Sequence, residues 1–275
     1  MDIKIKVNFS KNSKAEGMID LHTHLLPDWD DGPDNWNETA EMVEIAVNDG
    51  IDMICLTPHI FRFSRYQDSQ EALESRFNEF NIKFGRDERI QFFRGGEMFI
   101  HPELVREVRE RNLSINGSEY VFVEFPEDQV PVGSKELFFR MMLSGLTPII
   151  SHPERNSALG NQPGLLYDLV CRGCLAQVTA GSLTGKFGDD IKQKAELFLE
   201  NRLVHLIASD AHDSKRRKPV LSQGVKAAAK IIGIEVAEAM VREVPKAILN
   251  NEIIPDLGSP ANPVSRKKFF GLFKK

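Results

Sequence analysis

Six segments of the chain read as short, mostly apolar strands that run into a histidine or a carboxylate, and this recurrence limits the fold more than any other feature. The first, residues 18–24, carries Asp20-Leu21-His22-Thr23-His24. Residues two apart in a strand share a face, so His22 and His24 point the same way, with Asp20 placed to orient them. Two imidazoles beside a carboxylate suit a divalent metal. An isolated His-x-His is more often an ordinary pair at a strand end, but the later strands remove that alternative. Residues 53–57 lead to His59, 91–94 to Glu97, 120–123 to Glu124, 147–151 to His152 and 203–209 to Asp210-Ala211-His212.

Between these strands, and a further one at 175–179, the spacing predicts helices. Asn35 to Asn48 carries Ala40, Val43 and Val47 on one face, with Asn37 as N-cap and Gly50 as stop. Others are expected near 69–84, 134–144, 163–173, 187–200, 219–231 and 235–249. About seven strands alternating with helices imply an α/β fold, a parallel sheet closed or nearly closed into a barrel, with its chemistry where strands end. No internal repeat or Ser/Gly linker interrupts it, so one domain is expected over 18–255. A polar lead at 1–17 precedes it and a Pro-rich, then basic, tail at 256–275 follows.

The net charge of -5 argues against a nucleic-acid binder. Three cysteines fit a reducing compartment better than a disulfide framework, and residues 1–17 hold no apolar run, so a cytoplasmic protein is expected. Cys171-Arg172-Gly173-Cys174 lacks a second pair to complete a zinc site and reads as structural, with Gly173 ending a helix. No arginine stands six positions after Cys55, Cys171 or Cys174, which excludes a thiol phosphatase loop, and Gly95-Gly96 is too short for a nucleotide loop. His205 falls opposite in strand parity to Asp210 and is expected to pack towards the helices, while His101 opens a surface helix.

The ligand inventory is His22, His24, Asp31, His59, Glu97, Glu124, His152, Asp210 and His212. One ion takes no more than about four to six protein ligands, so two or three ions are implied. Imidazole and carboxylate without thiolate suit Mn, Fe or Zn. Glu97 and Asp210 are placed to bridge ions.

Together with Thr57-Pro58-His59, Gly96-Glu97, Glu124-Phe125, His152-Pro153-Glu154-Arg155 and Ser209-Asp210-Ala211-His212, the opening motif resembles the polymerase-and-histidinol-phosphatase (PHP) family. Asp30-Asp31-Gly32-Pro33 and Val178-Thr179-Ala180-Gly181-Ser182 resemble, within it, the bacterial metal-dependent protein-tyrosine phosphatases of capsule and exopolysaccharide loci. The resemblance covers about 18–250. It implies a distorted (β/α)7 TIM-like barrel of PHP type, three ions, commonly Mn2+, and action on a membrane-associated tyrosine autokinase. By motif, His22, His24, Glu97 and Asp210 would hold the first ion, Glu97, Glu124 and His152 the second, and Asp31, His59 and His212 the third. Arg155 and Arg217 would contact phosphate, Arg217 being one of four neighbours in Lys215-Arg216-Arg217-Lys218.

The chemistry points to the same reaction class. Divalent ions make water nucleophilic near neutral pH, and a phenolate of parent pKa about 10 leaves with less proton assistance than an alkoxide. His212 is one candidate for a proton donor. The alternatives are a small-molecule phosphatase of histidinol-phosphatase type, an amidohydrolase on the same scaffold, or a non-catalytic partner of the kinase. Arg266 to Lys275 interleaves basic and aromatic residues and is expected to be a flexible tail, with weak contact to an anionic membrane surface as the second reading.

Overall fold

A computed structural model describes residues 17–61 and 69–263. Most of the expected lead, and residues 264–275 of the expected tail, lie outside the described residues.

The strands are β1 (Met18–Thr23), β2 (Ile51–Leu56), β3 (His59–Ile60), β4 (Gln91–Arg94), β5 (Glu97–Phe99), β6 (Tyr120–Glu124), β7 (Thr147–Ile150), β8 (Leu175–Thr179) and β9 (Leu206–Ala208). β3 continues the path of β2 beyond Thr57-Pro58, and β5 that of β4 beyond Gly95-Gly96, so the nine pieces occupy seven barrel positions. All pairings are parallel, in the orders β1-β2-β4 and β3-β5-β6-β7-β8-β9. The two ends meet where Thr23 bridges Ala211. There the His24 N–H donates to Ala211 O at 2.8 Å and the Asp210 N–H to His22 O at 2.9 Å. The result is a curled, distorted (β/α)7 barrel.

Parallel strands covered on both faces read as continuous apolar runs. In β6, Val121 and Val123 join the core beneath the helices, whereas Tyr120 and Phe122 face the barrel interior with Ile19, Leu21, Ile149, Leu175 and Leu206. Val244, Ile248 and Leu249, from the helix Glu243–Leu249, plug the N-terminal end of that interior. The same parity carries the inner face of β6 from Tyr120 through Phe122 to Glu124, and that of β8 from Leu175 to Gln177. Apolar side chains therefore fill the lower barrel and polar ones emerge at its mouth.

The helix Trp36–Asp49 is capped by Asn35, not Asn37: the Asn35 side chain accepts from the N–H groups of Asn37 and Glu38. Gly50 ends it at φ 86°, a left-handed conformation that favours glycine. Gly173 likewise turns at φ 104° ahead of β8, and all three cysteines are free. The surface helix expected at His101 is Leu104–Arg111; His101 lies just before it, edge-on to Phe61. Beyond the last helix the chain packs on the domain as far as its described end, with the Ala261 N–H donating to Asn201 O.

Candidate metal centre

All nine expected ligands converge at the mouth of the barrel. Eight are buried; Asp31, on the loop after β1, keeps 45% side-chain exposure. His22 lies over Phe122, with ring centroids 4.8 Å apart, so the lower core is the floor of the centre. His152 and Asp210 follow β7 and β9 in left-handed backbone, at φ 31° and 52°. For residues other than glycine that conformation costs on the order of 1 to 2 kcal/mol. Each turn directs a ligand into the mouth at the point where its strand ends.

Histidine orientation decides what the centre can bind. The Nδ1–H of His24 donates to Asp30 Oδ2 at 2.8 Å, and that of His22 to Gln177 Oε1 at 3.1 Å. The His152 N–H also donates to Gln177 Oε1, at 3.2 Å, which fixes the amide's orientation. Both Nε2 atoms therefore present lone pairs, and they lie 3.2 Å apart. Glu97 Oε2 lies 3.3 and 3.5 Å from them, and Asp210 Oδ1 3.6 and 3.5 Å. These two oxygens are buried without a hydrogen bond. Four such atoms facing one another form a site that a cation would satisfy.

A second group joins Asp31, His59 and His212 with His24. His212 Nδ1–H donates to Asp210 O at 3.0 Å, leaving its Nε2 lone pair 3.1 Å from Asp31 Oδ1. A third group joins His59, Glu97 and Glu124, and His152 Nε2 lies 3.1 Å from Glu97 Oε1 and 3.7 Å from Glu124 Oε1. Compared with the expected sets, His24 and His59 each stand between two groups, and Glu97 is the common neighbour of four histidines.

Electrostatics agree with a cation-seeking centre. Burial alone would raise Glu97 and Asp210. His22 and His59 outweigh it for Glu97, and Arg217 and Arg155 for Asp210, so both carboxylates stay ionised. His59 is raised to about 9, burial and His24 opposing while Glu97 and Asp31 prevail. His152 and His212 are pushed down to about 4, chiefly by burial, and stand ready as neutral ligands.

Arg155 and Arg217 reach the same oxygen, Asp210 Oδ2, the latter at 2.6 Å. Glu154 does not pair with Arg155 in a surface bridge. It is buried, accepting from the Thr179 N–H at 2.9 Å and the Ser182 hydroxyl at 2.7 Å, which locks the Arg155 loop to the end of β8. His205 lies just before β9, with Nδ1 accepting from the Ala176 N–H at 3.2 Å, apart from the nine expected ligands. Asp20 accepts from the Ser209 N–H at 3.0 Å and the His22 N–H at 3.4 Å, so it orients backbone rather than imidazole.

A parallel barrel whose mouth gathers imidazoles and carboxylates around a pair of arginines defines a metal-dependent hydrolase. The match to known sequences is more specific. Residues 18–250 fit the family model described as capsular polysaccharide synthesis, CpsB/CapC, and the chain belongs to that family. It is 35% identical over 258 residues to tyrosine-protein phosphatase YwqE of Bacillus subtilis, covering 93% of this chain and all of that protein. Against tyrosine-protein phosphatase CpsB of Streptococcus agalactiae serotype V, identity is 27% over 244 residues, covering 86% of this chain and all of the relative. A solved chain, from a study of YwqE of Bacillus subtilis and CpsB of Streptococcus pneumoniae as metal-dependent tyrosine phosphatases, superposes with TM-score 0.83. It is 34% identical and covers 89% of this chain and 99% of its own.

Proposed function

We propose that this metal-dependent tyrosine-protein phosphatase of capsular polysaccharide synthesis hydrolyses phosphotyrosine at a three-ion centre, with Mn2+ as the ion and Fe or Zn as alternatives. The observation that carries the reading is the convergence of the His22 and His24 Nε2 lone pairs on Glu97 Oε2 and Asp210 Oδ1, with Arg155 and Arg217 on the other oxygen of Asp210.

His22, His24, Glu97 and Asp210 would hold one ion, Glu97, Glu124 and His152 another, and Asp31, His59 and His212 the third. Divalent ions held there supply Lewis acidity, which makes water nucleophilic near neutral pH and offsets charge on phosphoryl oxygens. The protein supplies the rest. Asp30 and Gln177 keep His24 and His22 in the ligating tautomer. Arg155 and Arg217 present planar donor pairs to the phosphoryl group, held over the centre by Asp210. No side chain is needed as a nucleophile, and His212, its Nδ1–H given to Asp210 O and its pKa pushed down to about 4, serves as a neutral ligand, so the phenolate leaves without a proton from it.

The substrate in this reading is a phosphotyrosine protein, a membrane-associated tyrosine kinase, met in the cytoplasm. Among the described residues no helix is long and apolar enough to cross a membrane. The test is turnover of a phosphotyrosine peptide, histidinol phosphate and an amide substrate after chelation and separate metal add-back. Selective restoration of phosphotyrosine hydrolysis supports the reading; preference for histidinol phosphate or the amide would replace it.

A further inference from the structure

Beside the metal centre a cavity of about 210 Å3 is lined by Glu124, His152 and Arg155, the inner wall that faces the centre, and by Phe125, Asn156 and Ile191 with the polar Ser151 and acidic Glu127, the outer wall. It is smaller than the roughly 300 to 1,000 Å3 of sites that enclose a whole drug-sized ligand. Its size suits a single side chain. The inner wall belongs to the machinery already described: two metal ligands and the phosphate arginine. The outer wall is chemically different, with Phe125 buried and Ile191 half-buried in the first turn of the helix Asp189–Glu200.

The outer wall is built to hold its shape. The Asn156 amide donates to Pro126 O at 2.6 Å and Gln129 O at 3.0 Å, while its oxygen accepts from the Leu159 N–H at 2.8 Å. The Ser157 N–H donates to Glu127 O at 2.7 Å. These bonds tie the loop after Phe125 to the loop that carries Arg155. Across the mouth, the Phe187 ring lies 5.1 Å from the Arg155 guanidinium and limits where that group can swing.

We infer that this cavity is the subsite for the aryl leaving group, with Ile191 and Phe125 as the two apolar surfaces that receive a phenyl ring while Arg155 faces its phosphate. The inference rests on the proposed phosphatase reading and adds to it the residues that choose an aromatic ester. An alkyl ester would reach the same ions but leave the apolar walls uncovered. Selection for phosphotyrosine is therefore made by ring burial and not by the metal centre.

The experiment compares metal-loaded, full-length wild type, Ile191→Trp and Ile191→Ala on a phosphotyrosine peptide and on a phosphoserine peptide of the same sequence. Inorganic phosphate serves as a competitive inhibitor that reports the metal and arginine side alone. Ile191→Trp, which fills the cavity, is expected to lower kcat/KM on phosphotyrosine by roughly ten- to a hundredfold, the range set by withholding a phenyl-sized burial. Metal content and phosphate inhibition stay unchanged. Ile191→Ala, which cannot overfill the cavity, shifts the same ratio in the same direction by less. Unchanged phosphotyrosine kinetics in both variants, or an equal loss on both peptides, would overturn the subsite. Wild-type protein that turns over neither peptide would remove the phosphatase reading beneath it, a result distinguishable from either.

Discussion

Arg217 donates to Asp210 Oδ2 at 2.6 Å, on a carboxylate whose other oxygen faces the His22 and His24 Nε2 atoms. One side chain thus joins the candidate metal ligands to the two arginines proposed to contact phosphate. Asp210→Asn keeps the shape but loses the charge that both functions need. We expect loss of bound metal together with a fall of about a thousandfold in kcat/KM, or about 4 kcal/mol of transition-state stabilisation. Metal analysis alongside kinetics checks this; a variant with full metal content and near wild-type turnover would contradict it.

Arg155 is held by geometry as well as charge. Its loop is locked by Glu154, and its guanidinium lies between Asp210 and the Phe187 ring. Lysine offers a point charge with different reach. Arg155→Lys should therefore lose turnover almost as severely as Arg155→Ala, by roughly a hundredfold or about 3 kcal/mol, with metal content unchanged. Recovery of most activity by lysine would reduce the role to simple charge.

Gln177 and Asp30 fix the tautomers of His22 and His24. Loss of such a partner typically weakens a metal site by about ten- to a hundredfold. Gln177→Leu and Asp30→Ala should each weaken metal binding by that order, read by titration of chelated protein with Mn2+ and independent of any substrate. Wild-type affinity in both would show that the imidazoles need no support.

Eight of the nine expected ligands were legible because each lies at or just beyond the end of a strand whose apolar run could be read; Asp31, on the loop after β1, was reached only through its motif. The supporting residues were not. Gln177 is a neutral amide within the buried strand Leu175–Thr179, and only its polarity in that setting marks it. Asp30 stands next to Asp31, and no pattern of spacing tells a ligand from its neighbour when a loop decides which turns inward. Asp20 had the spacing of an imidazole partner, yet it serves the backbone. At that point β1 and β2 shift register between Asp20 and Thr23, and strand parity no longer gives side-chain direction. The seven barrel positions were visible; the breaks of two strands at Pro58 and at Gly95-Gly96 are seen only in the structure.

His205 gives a prediction separate from the metals. Burial pushes it down to about 4, against about 6.5 in the unfolded chain. Between these values the unfolded chain binds the proton and the native protein does not, so stability is full above about pH 6.5 and falls as pH drops towards 4. His205→Asn keeps an acceptor for the Ala176 N–H without titrating. On lowering pH from 7.5 to 5, wild type should lose about 2 kcal/mol more unfolding free energy than the variant. Denaturant titration at the two pH values measures it, and parallel losses would refute the assignment.

The central claim is that the converging imidazoles and carboxylates act only with divalent cations among them. Its most direct measurement is turnover of a phosphotyrosine peptide by one preparation, first chelated and then reloaded with Mn2+, with bound metal counted at each stage. The account predicts no turnover in the metal-free protein and recovery in proportion to bound metal. Full turnover by protein shown to hold no metal would contradict it.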